Sequence, residues 1–274
     1  MNLAVGFFDG LHLGHRRLLA RADAALTFRV HPATVFAPAR APALLMTAAR
    51  RLAALARLVQ VEALDFSPAR AAEPPAAFAD WLRRAYPSLD TVFCGPNWTF
   101  GAGGAGDAAF LRARGFRVEV VPFVEWRGAP VSSTRIRAAV ASGDLETAAA
   151  LLGRPWQMTG VVARGKGVGR TLGRPTVNVR PAPELVRPPR GVYAVETAFG
   201  AGVANYGTAP TMRARAWAEP VLEVHLLEGG DALPPDLDGR PAAVALRRFI
   251  RPERTFASLD DLRAQIARDV AACR

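Results

Sequence analysis

The spacing of apolar residues changes once along this chain, near residue 153, and this change limits what the chain can fold into. Before it, short apolar runs at residues 3–8, 91–94 and 118–124 alternate with segments of helical spacing. Such alternation predicts an α/β domain, in which helices cover a parallel sheet. The predicted helical segments are residues 18–25, 48–58, 75–85, 108–114, 135–140 and 144–152.

Beyond the change, the apolar residues alternate with a period of two in short runs that Gly and Pro turns divide. These runs, at residues 192–195, 221–227 and 242–250, predict a compact β-barrel. A capping pattern at Ser258 then predicts a single C-terminal helix. Because Gly and Pro end the last helix of the first half, we expect two domains, residues 1–153 and 154–274.

Composition narrows the classes of protein. Hydrophobic residues make up 50% of the 274 residues, which favours a packed chain over a disordered one. No apolar stretch approaches the roughly 18 residues of a membrane span, and no leader pattern follows Met1. We therefore expect a cytoplasmic protein without a membrane partner. The sequence leaves its oligomeric state open.

The net charge of +11 raises the question of a nucleic-acid partner. The excess is +5 over residues 1–150 and +6 over residues 151–274, without a basic tail or block. An even spread is typical of solvated surface arginines, so we expect no nucleic-acid partner. A non-enzymatic nucleic-acid binder remains only a remote alternative. The two cysteines, Cys94 and Cys273, lack the spacing of a disulfide framework or a zinc site.

Two histidines stand where the first strand passes into a helix. His12 and His15 flank Gly14 at the end of the segment Gly-Phe-Phe-Asp-Gly-Leu-His-Leu-Gly-His. A glycine lets the backbone approach a phosphate closely, a helix start offers N–H donors, and imidazoles donate to phosphoryl oxygens. The pattern therefore favours a phosphate-binding site over two surface imidazoles.

This segment resembles the first motif of the nucleotidyltransferase superfamily, and residues 131–137, Val-Ser-Ser-Thr-Arg-Ile-Arg, resemble its second. The resemblance implies that His12 and His15 assist the transfer of a nucleotide. It also implies a nucleotide site formed by Gly6, Phe8, Asp9 and Gly14, with the ATP phosphates held by Ser132, Ser133, Thr134 and Arg137.

The second half contains a segment, residues 160–167, that fits a P-loop except at its last position. The hydroxyl that would bind Mg²⁺ is replaced by Gly167, so we reject the P-loop. Residues 165–178 instead resemble the Gly-rich loop and Pro-Thr-Ala-Asn motif of riboflavin kinases, which are six-stranded Greek-key barrels. This resemblance implies that Thr176 and Asn178 bind Mg²⁺ and the ATP phosphates, together with Gly165, Gly169 and Gly173.

Glu223 lies in an alternating strand, where it shares a face with His225 and opposes Leu222 and Val224. Periodicity alone leaves open whether it is a solvent-facing charge or a functional group. The riboflavin kinase resemblance implies that Glu223 is the base that activates the substrate hydroxyl. It also implies a flavin contact for Arg251.

Taken in order, the two halves resemble the bacterial family of bifunctional riboflavin kinase/FMN adenylyltransferases, also called FAD synthetases. The resemblance implies phosphorylation of riboflavin to FMN and adenylylation of FMN to FAD, both with ATP and Mg²⁺. It further implies flavin contacts in the first half, from His31, Asn97, Trp98 and Phe100. Phe7 stands where the family usually has Asn. The alternative is therefore a riboflavin kinase whose first half uses another nucleotide or acceptor.

Overall fold

The computed structural model describes residues 1–163, 176–208, 219–227, 234, 236–256 and 258–273. Contacts within the chain divide it into two compact units, Met1–Ser133 and Thr134–Arg274. No helix within the described residues is long and apolar enough to cross a membrane.

A five-stranded parallel sheet forms the centre of the first unit. Its strand order is β3-β2-β1-β4-β5, so the first strand lies in the middle. The strands are β1 (Asn2–Val5), β2 (Ala24–Phe28), β3 (Gln60–Leu64), β4 (Thr91–Cys94) and β5 (Arg117–Val120). A short hairpin follows, made of β6 (Glu125–Trp126) and β7 (Ala129–Pro130).

Helices accompany this sheet, and the side chains of the central strand alternate between two cores. Leu3 and Val5 belong to one apolar cluster with Leu82, whereas Ala4 belongs to the other with Phe8 and Leu55. The helices are α1 (Leu13–Leu19), α2 (Ala33–Phe36), α3 (Ala48–Leu55), α4 (Pro68–Ala71), α5 (Pro75–Ala85) and α6 (Ala108–Ala113).

The first predicted helix is too long. Helical spacing extends to Ala25 in the sequence, but α1 ends at Leu19 and Ala25 lies inside β2. Ala25 is fully buried and pairs with Ala4 of β1, so sheet pairing overrides the local spacing. The sequence also contains β3, which the apolar pattern missed because that strand is only partly buried.

A closed antiparallel barrel of six strands dominates the second unit. The strand order around it is β10-β11-β12-β9-β8-β13. The strands are β8 (Gln157–Ala163), β9 (Thr176–Pro181), β10 (Gly191–Thr197), β11 (Gly200–Gly207), β12 (Val221–Leu226) and β13 (Pro241–Pro252). The parallel sheet, the barrel and a C-terminal helix, α9 (Leu259–Cys273), confirm the predicted fold class.

Two helices connect the sheet to the barrel strands in sequence, α7 (Ser133–Ser142) and α8 (Leu145–Leu152). The Asp144 carboxylate accepts the Thr147 N–H at the start of α8, and Gly153 ends it with a φ of 69°. The division into compact units places α8 with the barrel, where it contacts β13. The predicted domain boundary at 153/154 therefore stays a prediction, which concerns where the chain can be cut so that the barrel folds alone.

We expect a fragment of residues 134–274 to be more stable than one of residues 154–274. The shorter fragment lacks Leu145 and Leu151, which are 3% and 0% exposed. Because burial of one leucine contributes about 1.5–3 kcal/mol, its loss should lower the melting temperature by at least about 4 °C. Thermal unfolding followed by circular dichroism measures this. Equal melting temperatures would mean that α8 adds nothing to the barrel.

Candidate active sites

The turn from β1 into α1 has an unusual backbone. Phe8, Gly10 and Leu11 all have positive φ values, of 60°, 83° and 45°. Two of these residues carry side chains, for which this region is unfavourable. Such conformations persist only where surrounding contacts enforce them, and they cluster at functional sites.

Those contacts come from buried groups on both sides of the turn. The Phe8 ring is 1% exposed and belongs to the core with Leu11 and Leu18. The Asp9 carboxylate is buried and accepts N–H groups from Leu45, at 2.9 Å, and Met46, at 3.2 Å. Phe8 and Asp9, both predicted nucleotide-site residues, thus use their side chains to fix the turn.

The two histidine rings stack on each other at the start of α1. The ring centroids of His12 and His15 are 3.6 Å apart and the planes differ by 20°. The His12 Nδ1 accepts the His15 N–H at 3.3 Å, so it carries no proton itself. A Cβ atom on Gly14 would lie 3.2 Å from the His12 ring, so this glycine leaves room for the stacked pair.

His15 is held in its neutral form. Burial lowers the pKa of His15 well below its ordinary value of 6.5, and the proximity of His12 lowers it further. Its Nδ1 is buried and has no hydrogen-bond partner within the described part of the chain. His15 therefore presents an uncharged imidazole, which donates or accepts through single ring nitrogens.

Residues 131–133, at the C-terminal end of the first unit's sequence, lie next to this turn. Ser133 begins α7, and its hydroxyl donates to the Asp9 carbonyl at 2.8 Å. The second predicted phosphate motif thus contacts the first through Ser133. Further along α7, Arg137 donates to the Thr134 hydroxyl at 3.1 Å. Thr134 and Arg137 belong to the second compact unit.

Arg51 is a site residue that the sequence reasoning missed. It is 0% exposed, and its guanidinium donates to the Phe7 carbonyl, the Thr27 hydroxyl, and the carbonyls of Phe28 and Arg29. These groups lie at the carboxyl ends of β1 and β2, where ligands bind in open parallel sheets. Burial lowers the pKa of Arg51 to about 10, so it remains charged at neutral pH.

Phe7, which departs from the family pattern, lies between Arg51 and His31. The Arg51 guanidinium lies 4.1 Å from the centroid of the Phe7 ring, and the His31 ring meets the same ring edge-on at 4.7 Å. The His31 Nδ1 accepts the Ala33 N–H at 3.2 Å. The predicted flavin contact His31 thus lies at the same end of the sheet as the two stacked histidines.

The other predicted flavin residues of this unit follow β4. Trp98 stacks on Phe100 with centroids 4.8 Å apart, and Phe78 contacts both rings. These aromatic side chains are partly buried against the core, whereas Asn97 is exposed. Trp98 therefore already has a stacking partner from its own chain.

In the barrel, the predicted kinase residues lie on one face of neighbouring strands. Glu223 of β12 pairs directly with Asn178 of β9, and His225 pairs with Thr176. Directly paired residues of antiparallel strands point to the same side of the sheet. Leu222 and Val224 are buried on the opposite side. The sheet register thus brings Thr176, Asn178 and Glu223 together.

Glu223 is half-buried, and burial raises the pKa of its carboxyl group. Within the described residues its carboxylate makes no hydrogen bond or ion pair, and the group is therefore free to meet a ligand. The oxygen donors of Thr176, Asn178 and Glu223 are the type that Mg²⁺ prefers alongside substrate phosphates. No cluster of three or more His, Cys, Asp or Glu side chains suited to a metal occurs in the described part.

Arg251 has a partner from the C-terminal helix. It donates to the Asp269 carboxylate through Nε at 2.9 Å and Nη2 at 2.7 Å, and Gln265 donates to the same carboxylate. The Arg251 and Asp269 side chains are 13% and 4% exposed. The pair therefore attaches α9 to β13. Gly165, Gly169 and Gly173 lie outside the described residues.

Stacked histidines at the edge of a parallel sheet, and a barrel carboxylate beside two oxygen donors, are the arrangement expected of a transferase that acts on phosphate groups. Family models agree with this division: FAD synthetase matches residues 1–135 and riboflavin kinase matches residues 152–274. The chain belongs to the family of bifunctional riboflavin kinase/FMN adenylyltransferases.

Curated relatives of that name match over nearly the whole chain. The Escherichia coli (strain K12) protein is 38% identical, with 99% of this chain and 91% of the relative covered. The Bacillus subtilis (strain 168) protein is 30% identical, with 97% and 89% covered. A solved structure from Streptococcus pneumoniae, described as a macrolide-efflux protein, has a TM-score of 0.82 at 27% identity and covers 100% of this chain and 93% of its own.

We expect Arg51→Met to lower the free energy of unfolding by about 3 kcal/mol. The change leaves several buried acceptors without a donor, and each such group costs about 1–3 kcal/mol. Urea denaturation of the full chain measures the difference. Arg57→Met is the matched control, because Arg57 is exposed and should change stability by less than about 0.5 kcal/mol. An equally small effect of both substitutions would contradict a role for Arg51 at the strand ends.

We expect the first unit to lose stability as the pH falls below about 6.5. The unfolded chain protonates His15 there, whereas the folded chain holds it neutral, so acid favours unfolding. His15→Gln removes the proton that His15 takes up on unfolding. The free energy of unfolding of this variant should therefore fall less steeply with pH than that of the wild type, with slopes that differ by up to about 1.4 kcal/mol per pH unit. Urea denaturation at several pH values compares the two slopes. Parallel slopes would show that His15 titrates normally.

Proposed function

We propose that this chain phosphorylates riboflavin to FMN at the barrel and adenylylates FMN to FAD at the parallel sheet, with ATP as the nucleotide in both steps. The observation that carries the proposal is the presence of two distinct constellations, the histidine pair of the first unit and the Glu223 face of the second. Family membership over nearly the full chain supports both activities.

In the adenylylation, a phosphate oxygen of FMN attacks the α-phosphorus of ATP. A new P–O bond forms, the bond between the α-phosphorus and the bridging oxygen breaks, and pyrophosphate leaves. Because the His12 Nδ1 accepts a backbone N–H, its proton is on Nε2, which donates to the phosphoryl oxygens as negative charge develops. His15 stacks on His12 and is itself neutral, so it provides a second contact through an uncharged ring.

The remaining predicted residues of this site divide between the two substrates. Gly6 and Gly14 let the triphosphate approach the backbone, with Ser132, Ser133, Thr134 and Arg137 on its oxygens. Phe8 and Asp9 act by fixing the turn rather than by direct side-chain contact. His31, Asn97, Trp98 and Phe100 contact the flavin.

In the kinase step, Glu223 accepts the proton of the ribityl 5′-hydroxyl as its oxygen attacks the γ-phosphorus of ATP, and ADP leaves. Burial supports this role, because a raised carboxyl pKa brings the base closer to neutral pH. Thr176 and Asn178, with Gly165, Gly169 and Gly173, hold the ATP phosphates. Thr176 and Asn178 would also hold Mg²⁺, which when bound would supply neutralisation of the phosphate charge.

Arg251 contributes to the flavin side of the kinase site through the position of α9, which it holds by its pair with Asp269. A cytoplasmic location belongs to the proposal, and the need of both steps for ATP supports it. Neither step needs a nucleic-acid or membrane partner.

We expect His15→Ala and Glu223→Gln to lose opposite activities. His15→Ala should reduce FAD formation from FMN by about 10²–10³, since it removes a group at the transferring phosphate, and should leave FMN formation intact. Glu223→Gln should reduce FMN formation by at least about 10² and leave adenylylation of supplied FMN intact. Chromatography of the flavins after incubation with ATP and Mg²⁺ measures both.

Each variant serves as the control for the other, because both activities are measured on one sample. Loss of both activities in one variant would indicate a folding defect or a shared site. Near-normal kinase turnover in a folded Glu223→Gln protein would remove Glu223 from the mechanism.

A further inference from the structure

Glu223 has a carboxamide on each side in the barrel wall. Asn178 pairs with it directly from β9, and Asn205 pairs with it directly from β11. The three side chains form a row across three strands on the same face. Of the two carboxamides, only Asn178 has a role in the reaction described so far.

The Asn205 side chain has a fixed orientation. Its Nδ2 donates to the Glu253 Oε1 at 3.1 Å, across 48 residues of sequence. A carboxylate only accepts hydrogen bonds, so the amide nitrogen must face Glu253 and the carbonyl oxygen Oδ1 must face away from it. Glu253 thereby determines which end of the carboxamide is available to a ligand.

The backbone leaves space for this carboxylate. A Cβ atom on Gly207 would lie 2.1 Å from the Glu253 Oε1, so any side chain at position 207 would displace the carboxylate. Gly207 lies two residues after Asn205 on β11, on the same face. The Glu253 carboxylate therefore packs against β11 in a space that exists because residue 207 is glycine.

The geometry of the reaction assigns one substrate to each side of Glu223. In the proposed kinase step, the ATP phosphates lie on the Asn178 side and the base must touch the attacking hydroxyl. The acceptor then approaches from the other side of Glu223, where Asn205 lies. A polyhydroxy chain has hydroxyl donors beside the one that reacts, and a fixed carbonyl oxygen accepts from such a donor.

We propose that Asn205 binds the hydroxyl chain of the flavin and so selects polyhydroxy acceptors, and that Glu253 is the positioning residue that orients it. This inference rests on the proposed kinase function. No bond forms or breaks at Asn205, whose contribution is the binding and alignment of the acceptor.

The test measures binding of two flavins to the full-length protein by quenching of flavin fluorescence. One is riboflavin, and the other is an analogue whose five-carbon side chain carries only the terminal hydroxyl. We expect Asn205→Ala to weaken riboflavin binding about five- to tenfold, the effect of one lost hydrogen bond, and to leave binding of the analogue unchanged. The KM for ATP should stay the same.

Two further variants test whether Glu253 orients the Asn205 side chain or only stabilises the barrel. Gly207→Ala displaces the Glu253 carboxylate without altering either polar side chain, and should weaken riboflavin binding in the same selective way. Glu253→Gln can donate to the Asn205 Oδ1 as well as accept from its Nδ2, so it no longer fixes the carboxamide and should weaken riboflavin binding selectively, but less than Asn205→Ala does. Glu196→Gln, an exposed carboxylate on β10, is the matched control.

If Asn205→Ala weakened the binding of both flavins equally, or did not weaken riboflavin binding, the inference would be overturned. If Asn205→Ala does not fold, the selectivity of Gly207→Ala decides the question. A wild-type protein that does not phosphorylate riboflavin would refute the proposed function itself. A wild-type protein that does so, with variants that do not discriminate between the flavins, would refute only the role of Asn205.

Discussion

The buried guanidinium of Arg51 holds together the strand ends on which the first site depends. A parallel sheet leaves the carboxyl ends of its strands without partners beyond the last paired residue, so their carbonyls need donors. Arg51 supplies these donors to Phe7 after β1 and to Phe28 and Arg29 at the end of β2. The strained turn that carries His12 and His15 starts from this fixed edge.

In the barrel, the register of the strands determines which candidate residues lie side by side. Within the described residues, the pairing of β9, β12 and β11 aligns Asn178, Glu223 and Asn205 in one row. A slip of one residue would move a side chain to the opposite face. The buried Leu222 and Val224 oppose such a slip, because it would expose them. Core packing on one face thus positions chemistry on the other.

Much of this architecture could be predicted from the sequence. The change of period predicted the sheet, the barrel and the C-terminal helix, since each element type has its own local spacing. The limits of elements were less predictable: Ala25 fits a helix by spacing and lies in β2, because pairing with Ala4 outweighs local preference. Short motifs predicted roles for His12, His15 and Glu223, because each motif lies within a few consecutive residues.

The sequence by itself determined the kinds of elements, their order and the motifs that carry the two chemistries. Only the tertiary structure decided which distant groups contact the residues of the candidate sites. Arg51 is 44 residues from Phe7, and Glu253 is 48 residues from Asn205, so neither contact leaves a periodic trace in the chain. The physical reason is that such contacts arise from strand register and burial, which require the whole fold and are not encoded by local spacing.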